Sequence, residues 1–182
     1  FCLSRGLGDV YKRQVLLLHN FDPKKGGNSH QDGWDDLAAK LQNAGYAVFS
    51  FDFRGFGDSK TVAKDFWDLR RFPYNRSIKG AQLKNPPLSI EQKDFHPVYY
   101  PYLVNDVAAA KAYLDRKNDT NELTTSSVIV IGAGEGATIG ALWMASQCRL
   151  YKDKNSGRGP APVALADPEG KDLAAAIWLG IS

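Results

Sequence analysis

The sequence predicts an α/β fold: a three-layer sandwich in which a parallel sheet carries helices on both faces. Three observations predict it. The runs Val15-Leu16-Leu17-Leu18 and Val128-Ile129-Val130-Ile131 are continuously apolar, as strands buried on both sides are. Segments with one apolar stripe at helical spacing lie between the strand-like runs. A strand-helix-strand alternation in one sheet requires crossover connections and therefore parallel strands.

The elements follow in order. Val15–Leu18 is the first strand, and a loop from Asn20 to Gln31 with Pro23, Gly26 and Gly27 follows it. Trp34, Leu37, Ala38 and Leu41 mark a helix, with Asp32 as its expected cap and Gly45 at its end. Tyr46–Phe51 is a second strand, stopping at the glycine-punctuated turn Asp52-Phe53-Arg54-Gly55-Phe56-Gly57-Asp58-Ser59. Residues 60–100 keep no period and carry Pro73, Pro86, Pro87 and Pro97, so they read as an insertion, a lid or a local subdomain. Leu103, Val107, Ala110 and Leu114 mark another helix, and Asp119–Ser127 is a polar connection. The β-branched run 128–131 is a strand, and Gly132-Ala133-Gly134-Glu135-Gly136-Ala137 turns from it into a helix reaching about Cys148. A polar loop over 152–162 precedes a last apolar run, Ala174–Gly180.

Composition limits the function classes. At 182 residues, 43% hydrophobic and 24% charged, the chain is one globular domain in size and make-up. Its 23 basic and 20 acidic residues leave a net +3, which calls for neither a nucleic-acid nor a membrane partner. Cys2 and Cys148 make no disulfide framework, and no His/Cys/Asp cluster has metal-ligand spacing. No metal and no cofactor is expected, and a small-molecule ligand or substrate is the partner class that remains.

The first residues read differently from the rest. Ser4-Arg5-Gly6-Leu7-Gly8-Asp9-Val10-Tyr11-Lys12-Arg13-Gln14 back-translates into a string like a transposase adapter used to build sequencing libraries. Residues 1–14 are therefore expected to be a non-native segment that does not pack in the sheet, leaving 15–182 as a partial domain cut at both ends. Without Arg5, Lys12, Arg13 and Asp9 the balance is 20 basic against 19 acidic residues. A domain cut this way is expected to have raw sheet edges.

The segments LLLHNFDP, WDDLAAKLQNAGYAVFSFDFRGFGDS, NDVAAAKAYL and VIVIGAGEGATIGALWMA, in that order, resemble the α/β-hydrolase superfamily over about residues 15–182. The D-x-R-G-x-G-x-S turn after a G-Y-x-V strand is the most specific part. The resemblance implies a nucleophile elbow, a strained strand-to-helix turn of the form small-x-nucleophile-x-small. With Ile131 ending the strand, Gly132 and Gly136 are the small residues and Gly134 holds the nucleophile position, which is then without a side chain. A one-residue shift, with Ala133 and Ala137 flanking, puts Glu135 at the tip instead, where a carboxylate would be the nucleophile. Neither register supplies Ser or Cys. The oxyanion-type backbone N–H groups implied by the resemblance are those of Glu135 and of the neighbourhood of Phe21, and His19 maps to a structural histidine. Asn20 stands where glycine is common in the family.

The expectation is thus a hydrolase-like protein lacking the usual nucleophile. The alternatives are an active hydrolase of small ester or amide substrates, using Glu135 or a residue outside 15–182, and a dinucleotide-binding protein. The last reads Gly132-Ala133-Gly134-Glu135-Gly136-Ala137 as G-x-G-x-x-A, with Asp153 as the nearest acid. Trp67, Phe72, Tyr74, Phe95, Tyr99 and Tyr100 are expected to pack the insertion onto the main body, ahead of lining a pocket. Asp52 and Arg54 are expected to pair and hold their turn. His30 and His96 lie in loops. Asn75-Arg76-Ser77 and Asn118-Asp119-Thr120 match the glycosylation pattern.

Overall fold

A computed structural model describes residues 2–3, 13–119, 128–156 and 173–180. Strands β1 (Cys2–Leu3), β2 (Gln14–Leu18), β3 (Ala47–Phe51), β4 (Val128–Ala133) and β5 (Leu173–Leu179) form one sheet in the order β1-β3-β2-β4-β5. Four of them, β3, β2, β4 and β5, run parallel, as the continuous apolar runs predict. Helices α1 (Trp34–Asn43), α2 (Val104–Asp119) and α3 (Gly134–Ser156) alternate with them along the chain.

The expectation that residues 1–14 stay out of the sheet is corrected at two points. Cys2 and Leu3 pair antiparallel with Ser50 and Phe49 of β3, and Gln14 opens β2 with its side chain buried. An edge strand offers unpaired N–H and C=O groups to any extended backbone, whatever its side chains. Leu7, Val10 and Tyr11 lie outside the described residues.

Alternate strand residues enter two separate clusters, as a side-chain period of two requires. Val15, Leu17, Val48 and Ile131 pack with Trp34, Leu37, Ala38 and Leu41 of α1. Leu16, Leu18, Phe49, Phe51 and Val130 pack with Val107, Ala110 and Leu114 of α2 and with Ile139 and Trp143 of α3. Val15–Leu18 are therefore buried on both sides, which is why that strand shows no polar alternation.

Two helix ends differ from expectation. Asp32 does not cap α1: the cap position is Gly33, in the left-handed region, and no side chain caps it. Asp35 and Asp36 instead bring negative charge to the first turn. Gly45 ends α1 as expected, with Gly45 N–H bonded to Gln42 O and Tyr46 N–H to Leu41 O, the paired C-terminal bonds that a left-handed glycine permits. Helix α3 runs past Cys148 to Ser156, so the start of the expected polar loop is helical. Its apolar stripe fades there, but Arg, Leu and Lys are good helix formers without it.

The insertion is built from four 3₁₀ turns, Lys64–Trp67, Pro73–Ser77, Gln92–Asp94 and Pro97–Leu103. It is no detached lid: Trp67, Ile78, Ala81, Ile90, Phe95 and Tyr99 are buried in the same cluster as Leu16 and Phe53. Trp67 Nε1 donates to Pro87 O at 2.7 Å, so the burial of its ring leaves no orphaned N–H. Tyr74 and Tyr100 are half-buried at the rim of this packing, and Phe72 is half-buried against Tyr74.

Candidate functional site at the switch between β2 and β4

From β2 the chain passes to β3 on one side, then crosses back to β4 on the other. In an open parallel sheet this reversal leaves a crevice at the carboxyl ends of the two strands that part. The loops arriving there are His19-Asn20-Phe21 after β2 and Gly134-Glu135-Gly136 after β4.

Gly134 has φ 51°, the left-handed region that side chains resist, and it is the single residue from 132 to 137 with this backbone. It is the tip of a sharp strand-to-helix turn. The flanking glycines permit close approach. A Cβ on Gly136 would lie 2.2 Å from His19 O and 2.7 Å from Leu18 O, and one on Gly132 would lie 2.8 Å from Ala137 Cα. The start of α3 thus rests directly on the end of β2. Glu135 is exposed in the first turn of α3, one residue past the tip. Its backbone N–H donates to Asn20 Oδ1 at 3.3 Å, a hydrogen bond that joins the two loops. Phe21 is buried, and its ring packs on Phe53 and Phe56 with centroids 5.4 and 4.7 Å apart. Gly134 and Glu135 therefore stand beside the end of β2, where Glu135 meets Asn20, the residue before Phe21.

His19 fastens β2 to the β3 turn. Its Nε2 accepts the Phe53 N–H at 3.1 Å, which assigns the proton to Nδ1, and Nδ1 lies 2.8 Å from Asn20 O as donor. Both ring nitrogens serve the backbone. Burial lowers its pKa, against the opposing pull of the Asn20 carbonyl, Asp52 and Asp32. A neutral native imidazole whose unfolded form titrates near 6.5 contributes stability that is present above that pH and is lost as pH falls below it. The urea midpoint of the parent is therefore expected to fall from pH 7 to pH 5 relative to that of His19→Asn. Parallel pH profiles for the two proteins would show that His19 does not titrate with folding. Comparing the two also cancels His30, whose bond to Asp35 at 2.9 Å raises its pKa and acts with the opposite sign.

The expected Asp52–Arg54 pair is not formed. Asp52 Oδ1 accepts the Ser29 N–H at 2.7 Å and its Oδ2 accepts the Asp58 N–H at 2.9 Å. Partial burial pushes this carboxyl up, but those N–H donors outweigh it and hold the group below its ordinary value. Arg54 turns instead to Asp106 in the first turn of α2. Arg54 Nε donates to Oδ1 at 2.8 Å, Nη2 to the same oxygen, and the backbone N–H to Oδ2 at 3.0 Å. Nη1 donates to Tyr99 Oη at 3.0 Å, and Tyr99 in turn to Asn75 Oδ1 at 3.1 Å. Asn75 Nδ2 closes the chain on Phe66 O at 2.6 Å. Burial is the main force pushing the Tyr99 phenol up to about 12. Desolvation pulls the guanidinium down, but Asp106 and Tyr99 together outweigh it and hold the group well above its usual value.

Asp106 and Asn75 are the residues that sequence reasoning missed. Asp106 stands at the start of an amphipathic helix, where a carboxylate looks like an ordinary first-turn acid. Asn75 drew notice as a glycosylation match, yet it is fully buried with its amide engaged on both sides, so no glycan reaches it in this fold. Asn118 of the other match has no described side chain. His30 sits with Asp35 on the α1 side, and His96 lines an open pocket in the insertion. Among the described residues no group of three His, Cys, Asp or Glu could hold a metal ion, and no helix is long and apolar enough to cross a membrane. Compared with known proteins, the chain matches no family model, no curated protein and no solved structure.

Proposed function

We propose that this chain is an α/β-hydrolase-like domain, three-layered with helices on both faces of its sheet, that binds a small molecule at the β2–β4 crevice without nucleophilic catalysis. One observation carries the reading: the left-handed tip of the turn after β4 is Gly134, so the position from which a nucleophile would act holds no side chain. The two strand-residue clusters, one with α1 and one with α2 and α3, support the layering. The close approach of Gly132 and Gly136 is the reason small residues flank such an elbow. The Glu135 N–H, one of the two donors the resemblance implies, is bonded to Asn20 Oδ1, next to Phe21 in the chain.

The competing readings have less support. A carboxylate nucleophile would need Glu135 at the tip, and it lies one residue beyond, in the first turn of α3. The dinucleotide reading needs an acid at the end of the following strand. Asp153 lies within α3, and β5 ends at Leu179, with Gly180 after it.

Serine-directed fluorophosphonate probes are expected to leave the protein unlabelled, and hydrolysis of activated esters is expected not to depend on this turn. Stoichiometric labelling at Ser59, Ser126 or Ser127 would place a nucleophile elsewhere and defeat the proposal. Loss of a measured hydrolytic activity in Glu135→Gln, with the fold intact by circular dichroism, would establish the acidic nucleophile in its place.

A further inference from the structure

The insertion carries an open pocket of about 590 Å³, lined by Arg76, Ser77, Lys79, Asp94, His96 and Val98 over Ile78 and Phe95. Its walls are two backbone runs tied to each other. Lys79 N–H donates to Asp94 O at 2.8 Å and His96 N–H to Ser77 O at 2.9 Å, around the bridged pair Ile78 and Phe95. Ile78 and Phe95 are buried in the main cluster, so the floor is anchored to the core and the walls stand fixed before any ligand arrives.

The two cations of this pocket, Arg76 and Lys79, outnumber its one carboxylate, Asp94. Arg76 and Lys79 are exposed, and neither forms an ion pair among the described residues. The one carboxylate, Asp94, faces Lys79 across the two runs, but its Oδ2 accepts the Glu91 N–H at 3.1 Å, within the cap of its own turn. His96 Nδ1 takes the Val98 N–H at 3.4 Å, which leaves Nε2 for a ligand. Val98 is 55% exposed, an apolar lip beside these groups. The chain around the pocket extends the same sign: residues 70–79 hold Arg70, Arg71, Arg76 and Lys79 and no acid. The stacked pair Tyr74 and Tyr102, 4.8 Å apart and partly exposed, stands on the adjoining turns.

From this charge pattern and shape we infer that the pocket is a docking site for an acidic peptide segment. A glutamate or aspartate of the partner sits between Arg76 and Lys79, and an adjacent apolar side chain covers Val98. An open pocket suits a chain crossing it better than a small molecule, which needs most of its surface enclosed. Unpaired cations on a fixed wall suit a carboxylate, which gains charge-assisted hydrogen bonds there without disrupting an existing pair. The site is separate from the β2–β4 crevice, and the inference does not depend on the function proposed for that crevice.

Fluorescence anisotropy of a short fluorescein-labelled peptide of glutamate and phenylalanine, added to the full chain, tests this. Saturable binding is expected. It should weaken by about tenfold or more in Arg76→Glu/Lys79→Glu and by several-fold in Val98→Asp. Lys24→Glu/Lys25→Glu makes the same charge change on another exposed turn and is expected to alter affinity by no more than about twofold. All these side chains are exposed, and unchanged circular dichroism confirms the fold of each variant. Absence of saturable binding overturns the inference, as does equal weakening in the two double variants, which would reduce the effect to net charge. A single-stranded oligonucleotide of matched charge that binds more tightly and is lost with the same residues would overturn it in favour of nucleic acid.

Discussion

Replacing Asp106 with alanine is expected to cost about 3–5 kcal/mol of stability, the range for stranding one member of a desolvated ion pair. The side chains of Arg54 and Asp106 are 22% and 12% exposed, so water solvates the abandoned guanidinium poorly. The loss extends beyond the pair. Asp106 accepts three donors from Arg54, and Arg54 orients Tyr99, which orients Asn75. Urea denaturation of the parent, Asp106→Ala, Arg54→Met and the double variant gives the coupling. The double variant is expected to recover part of the loss, because no buried charge is then left alone. A loss in Asp106→Ala of less than about 1 kcal/mol would class the pair with ordinary solvated surface bridges.

The second large effect is expected at Gly136. An alanine Cβ there would stand 2.2 Å from His19 O and 2.7 Å from Leu18 O at the end of β2, and neither the strand nor the helix can yield without unpairing its neighbours. A cost of about 3 kcal/mol or more is expected in Gly136→Ala, at the upper end for overpacking. Faster hydrogen exchange at the Glu135 amide is expected with it as α3 is lifted from Asn20. Gly140→Ala is the control. The atoms its Cβ would meet first are side-chain ends of Leu18 and Trp178, which yield more readily than backbone, so a loss of about 1 kcal/mol is expected. Equal midpoints for the two variants would mean that the α3–β2 approach is looser than this packing implies.

What the sequence made legible was local. Val15–Leu18 and Val128–Ile131 announce buried strands because both of their faces are covered, and Gly45 announces a helix end because few other residues take its backbone. The turn at 132–137 was recognisable because its glycines are required by contacts within a few residues and with the strand beside it. The Arg54–Asp106 pair spans 52 residues, and nothing in the spacing of either residue selects the other. Asp52 was the nearer carboxylate, but two backbone N–H groups had already claimed it. The pairing of Cys2–Leu3 with β3 is backbone chemistry and left no mark in the side chains. The insertion was visible as a loss of period, but its docking into the core depends on Trp67, Phe95 and Tyr99 meeting residues from elsewhere in the chain.

Glycine at position 134 also changes what the turn costs to keep. A side chain at φ 51° would burden the fold by roughly 1–2 kcal/mol, a debt that active sites carry because reactivity depends on it. This turn carries no such debt. On the function proposed above, the usual antagonism between robustness and reactivity is relaxed here, and the neighbourhood of α3 is free to drift toward tighter packing. Gly134→Ser would add that burden together with a hydroxyl.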